Sequence, residues 1–272
     1  MNTKRKESLA DLVLLLIAMV WGLCFSFLKI CLEAGMSSIH AMCIKFCLGA
    51  AVVAAICFIR FKDIGPLELR CGLLSGILLF AANYTGTVGI HFTSASNSAI
   101  ITATYIVMIP FIWCILGKAK LDWRVVLCAI GCFTGIALIN YDPSTGLHFV
   151  LGDLVILLSA LLFALQIVYV GYAVEKINAK TLALLQVLAC AAMSLAICLL
   201  WDPLRLDGAD YQKCLFPMLY VGILGTGLGY GGQVLAQQYT SNPKSNYRRN
   251  QFSVNWMQVR STVSSPTSSV MS

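Results

Sequence analysis

Eight continuous apolar runs, each about the 20 residues that a helix needs to cross a bilayer, dominate this 272-residue chain. They cover 10–32, 41–59, 69–90, 98–117, 123–141, 151–173, 180–200 and 215–238. The runs are unbroken rather than alternating, which selects helices over a barrel of strands. Composition agrees where it constrains most: 11% of residues are charged and 59% apolar, with a mean hydropathy of +0.82. A soluble domain carries about 25% charged residues, so soluble enzymes, nucleic-acid binders and disordered chains are excluded. The expected fold class is all-α, a polytopic membrane helix bundle of about eight transmembrane helices. Lys4, Arg5 and Lys6 precede the first run as in a signal peptide, but the run is too long and no small-residue cleavage site follows, so it stays as a helix.

The few charges set the orientation. With the N-terminus in the cytoplasm, every Lys and Arg except Lys29, Lys45, Arg205 and Lys213 falls on the cytoplasmic side, as the positive-inside rule demands. Both termini are then cytoplasmic, and the formal charge of +7 reports topology rather than affinity for nucleic acid. Most of the twelve cysteines lie in or beside the apolar runs. Cys43/Cys47 and Cys128/Cys132 have a one-turn spacing that a metal site could use, yet no His or carboxylate accompanies them. They read as small packing residues, and no cofactor is expected.

The runs repeat. Asp11–Leu23 in the first span and Asp153–Leu165 in the sixth share seven of thirteen positions at an offset of 142. Gly76-Ile-Leu78, Tyr84 and Phe92-Thr-Ser94 return as Gly222-Ile-Leu224, Tyr230 and Tyr239-Thr-Ser241 around the eighth span. Pairing the first span with the sixth makes a five-helix repeat. Five is odd, so the second copy crosses the membrane in the opposite sense, an architecture of secondary transporters.

These residues carry a resemblance. Asp11…Trp21-Gly22 with Lys29, Tyr84…Phe92-Thr93-Ser94-Ala95, Gly131…Gly135 and Gly225-Thr-Gly-Leu-Gly-Tyr230 resemble the EamA-like group of the drug/metabolite transporter superfamily, over about 9–241. The resemblance implies two inverted five-helix halves in the cell (inner) membrane. It also implies movement of small metabolites, such as amino acids or drug-like compounds, often outward and with protons as the coupling ion. The domains expected are 1–141 for the first repeat and 151–241 for a partial second one. Residues 242–272 then turn polar and serine-rich where two more apolar spans are expected. A shift of reading frame near Lys244 would account for the change, and the alternative function is a truncated, non-transporting membrane protein, or a channel or scaffold.

Polar groups within spans mark candidate pathways. The candidate substrate-binding residues are Trp21, Lys29, Asn83, Tyr84, Gln166, Tyr230 and Gln233. Lys29 is either an anchor for an anionic group or a lysine that snorkels outward and pairs with Glu33, the reading favoured here. Lys45, near the start of the second span, is expected to snorkel too. Tyr84 and Tyr230 are equivalent by repeat and line a cavity or merely pack. Trp21 and Phe163, also equivalent, lean toward core packing, whereas Gln166 is expected to face the cavity. Glycines at small-xxx-small spacing, 72/76, 131/135 and 225/229, predict close helix approach. Gly227-x-Gly229-x-x-Gly232 spells a dinucleotide fingerprint but lies inside a span with no strand before it. Pro110 either hinges or kinks the fourth span. His40, His91 and His148 lack partners at catalytic spacing, so an enzyme is not expected.

Overall fold

The computed structural model describes residues 3–57, 64–117, 121, 123–139, 141–142, 146–147, 150–201 and 209–237. The polar tail, its frame-shift reading, and the basic segments at 58–63 and 118–120 lie outside the described residues.

The chain forms α1 (Thr3–Glu33), α2 (Ser38–Cys57), α3 (Pro66–Phe92), α4 (Ala95–Ala103), α5 (Tyr105–Ile115) and α6 (Trp123–Ile139). After a hairpin of two-residue strands, Tyr141–Asp142 against Gly146–Leu147, come α7 (Leu151–Ala173) and α8 (Ala179–Trp201). The last span is α9 (Tyr211–Leu219), a π-helical segment (Tyr220–Leu228) and α10 (Gly229–Gln237). The helix starts follow local chemistry. Glu68 Oε2 accepts from Gly65 N ahead of Pro66, Ser94 Oγ accepts from Asn97 N, and Asp153 Oδ2 accepts from Val150 N. Asp210 Oδ1 accepts from Lys213 N at the start of α9. The backbone and side chain of Lys213 hold the Asp210 carboxyl below its ordinary pKa.

Among the described residues, seven helices are long and apolar enough to cross a membrane, with α4 and α5 forming one span. The expected span at 123–141 is instead the 17-residue α6. At about 1.5 Å per residue it is ~25 Å long, short of the ~30 Å hydrocarbon core. The fourth span breaks at Thr104 rather than at Pro110, with Thr104 N bonded back to Ile101 O.

Exposure runs opposite to that of a soluble protein. On α1, Leu12, Leu15, Leu16, Met19 and Leu23 form an exposed stripe at helical spacing, while Ile17, Leu28 and Cys31 are buried. The stripe suits contact with lipid. The third span, α3, packs on α7 and α8, and the eighth packs on α1 and α2, with α2 and α8 against each other. Exchanging the two halves of the chain reproduces this pattern. Gly76 brings α3 onto α8: a Cβ there would sit 2.5 Å from Ala189 Cβ. Gly131 and Gly135 behave otherwise. A Cβ at either meets nothing within 4 Å, because α6 stands at the edge, mainly against α4 and α5. The expected close approach is absent there.

Candidate functional site

Two apolar clusters make the core, one around Phe46, Leu79, Leu182 and Val187, the other around Leu28, Met36, Ile90 and Ile156. A cavity of about 300 Å³ lies among the helices, lined by α1, α2, α3, the fourth span, α7 and the eighth span. Its aromatic lining is Trp21, Phe25, Tyr105, Phe163 and Tyr230, and its polar lining includes Lys45, Asn83, Thr102, Ser159, Thr226 and Gln233.

Asn83 is the junction of the polar wall. Its Oδ1 accepts from Lys45 Nζ at 2.9 Å, its Nδ2 donates to Leu79 O at 2.9 Å, and its carboxamide pairs with Tyr230 Oη at 2.9 and 3.1 Å. Each element contributes one partner: α2 the lysine, α3 the asparagine, α10 the tyrosine. Buried polar groups persist only when bonded in this way. The Tyr230 ring lies 6.2 Å from Phe46, nearly parallel, and 5.2 Å from Trp21. Trp21 Nε1 donates to Gly225 O at 2.8 Å. That carbonyl belongs to the π-helical segment, a geometry that concentrates at functional sites. Thr226 Oγ1 donates within the same segment to Val221 O at 2.9 Å.

Lys45 corrects the expectation drawn from its position. It is seven residues into α2, about 10 Å from the helix end, within reach of an interface. Instead it turns into the bundle, 4% exposed, because Asn83 offers an acceptor and the Phe46 ring face lies 5.3 Å away. No apolar-polar periodicity on α2 foretold this direction. Gly49, one turn on along the same face, takes Thr226 against its backbone.

Of the residues singled out by sequence, Trp21, Asn83, Tyr230 and Gln233 come together at the cavity. The other three stand outside its lining. Tyr84 is 38% exposed and stacks on Phe80 at 5.8 Å. It differs from its repeat equivalent Tyr230 because the π-helical segment takes up an extra residue, turning the helix beyond it by about 100°. Gln166 is fully buried in a separate cluster, donating from Nε2 to Gln186 Oε1 at 3.1 Å, where Ser75 Oγ also donates at 2.7 Å. Lys29 donates to Ile90 O and Thr93 O at 2.9 and 3.2 Å, and its Nζ lies 3.9 Å from Glu33. It therefore ties α1 to the C-terminal end of α3, where carbonyls carry negative partial charge. Thr93 Oγ1 donates to Asp153 Oδ1 at 2.6 Å, which adds α7 to the same tie. Phe163, Tyr105, Thr102, Ser159 and Thr226 also line it; sequence reading assigned the last four no role because isolated hydroxyls are common in apolar helices.

Membrane-length helices packed around an interior cavity, with lining residues drawn from both halves of the chain, define a polytopic membrane helix bundle. The chain belongs to the EamA-like transporter family, whose model matches residues 8–141 and 150–245. It is 31% identical over 189 residues to an uncharacterized transporter of Archaeoglobus fulgidus, an alignment that covers 70% of this chain and 58% of that protein. The chain thus matches under two thirds of its relative's length. A solved crystal structure is similar at a TM-score of 0.64 and 16% identity, over 87% of this chain and 82% of that one, a likeness of fold alone.

Proposed function

We propose that the chain is a secondary active carrier that exports small metabolites, amino acids or drug-like compounds among them, across the inner membrane by alternating access, with protons as the coupling ion. It is read as a carrier rather than an enzyme. The supporting observation is the junction of Lys45, Asn83 and Tyr230, which joins residues of the first half to the eighth span at the cavity wall. Residues 1–141 act as one rocking unit and 151–241 as the other, with both termini cytoplasmic. In that orientation the tie of Lys29, Thr93 and Asp153 holds the outer end shut, and breaking it is the opening step.

Counterflow of labelled amino acids and aromatic compounds into preloaded proteoliposomes tests the reading. The chain is measured alone and joined to the two final helices of a ten-helix relative. Exchange that requires unlabelled substrate inside is the expected result; no exchange in either form overturns it.

A further inference from the structure

Lys45 is the charged side chain of the cavity lining among the described residues, and no described carboxylate is paired with it. Its ammonium has three donors, and the acceptor it meets is Asn83 Oδ1. A buried cation without a counter-charge is costly, and an anion entering the cavity removes that cost. Two further polar atoms of the same lining lack partners among the described residues: Thr102 Oγ1, a hydroxyl that can donate to an anion, and Gln233 Oε1, an amide acceptor that suits a ligand N–H or O–H. The rest of the wall is aromatic and aliphatic, with Trp21, Tyr105 and Phe163 around the opening left between them.

We infer that the cavity takes a small organic monoanion, an aromatic or branched carboxylate, with its charge on Lys45 and its body against Trp21 and Phe163. The inference rests on the carrier reading of this cavity and narrows it. An amino acid would bring an ammonium group as well, and the described lining holds no carboxylate to meet it. Gly225 O, beside Trp21, already receives the indole N–H, and Gln233 Oε1, the unbonded amide acceptor of the lining, offers an ammonium no counter-charge. A volume of about 300 Å³ is at the small end for ligand pockets and suits a single ring system with a short acid side chain.

Calorimetry on the purified full chain in detergent tests this with indole-3-acetate, its neutral amide and tryptamine. The acetate is expected to bind at least tenfold more tightly than the amide, and tryptamine more weakly still. Lys45→Met is expected to bring the acetate down to the amide. Asn83→Asp sets a carboxylate beside the ammonium and is expected to abolish the preference too. It preserves shape and supplies an ion pair, so it still tests the claim if Lys45→Met does not fold. Equal binding of acetate and amide, binding of none of the three, or a preference that survives both substitutions overturns the inference. Binding in detergent needs no transport. Selective binding without counterflow therefore overturns the carrier reading alone, whereas counterflow of acetate and amide at equal rates overturns the inference alone.

Discussion

Lys45 Nζ and Asn83 Oδ1 meet at 2.9 Å deep inside the bundle, on neighbouring helices, and Tyr230 closes the group from the far end of the chain. A lysine that could have reached the interface is held inside by one carboxamide. That carboxamide is satisfied on both its atoms, so its removal strands two groups at once.

Asn83→Ala leaves the ammonium and the Tyr230 hydroxyl without their common partner. A hydrogen bond to a charged group is worth about 1.5–3 kcal/mol, and thermal unfolding in detergent should register a loss of that order. Combining Asn83→Ala with Lys45→Met should restore part of it, because the stranded charge is gone.

The two tyrosines related by the repeat should separate cleanly. Tyr230→Phe removes the hydroxyl from Asn83 and should lower transport. Tyr84→Phe alters a group stacked on Phe80 outside the cavity lining and should leave counterflow rates as they are.

Trp21→Phe keeps an aromatic ring beside Tyr230 but loses the bond to Gly225 O. The cost should be about 1 kcal/mol of stability, together with weaker substrate binding in titration calorimetry.

Glycine spacing alone treats Gly76 and Gly131 alike, and the packing does not. Gly76→Val drives a side chain into Ala189 and the Gln186 backbone, and should cost about 1–3 kcal/mol. Gly131→Val enters open space beside α6 and should leave the unfolding temperature unchanged or raise it.

Seven of the eight expected spans were legible because hydrocarbon demands long apolar helices, and the exposed leucines of α1 repeat at the helical period. The likeness of Asp11–Leu23 to Asp153–Leu165 is a matter of sequence alone. Side-chain direction was not legible. On α2 nearly every position is apolar, so nothing in its pattern tells Lys45 which way to turn. The π-helical segment adds a register shift that no periodicity encodes, and this sends Tyr230 inward while Tyr84 faces out. Gln166, expected to face the cavity, instead pairs with Gln186, a partner twenty residues away on the next helix.

The central claim is that the cavity opens to one face of the membrane at a time. The direct measurement places a single cysteine at position 102, Thr102→Cys in a chain whose native cysteines are replaced, and applies an impermeant maleimide from one face and then the other. The account predicts that the reagent labels the cysteine from either face while the membrane stays tight to the reagent itself. Labelling from one face only, or passage of the reagent through the protein, would contradict it.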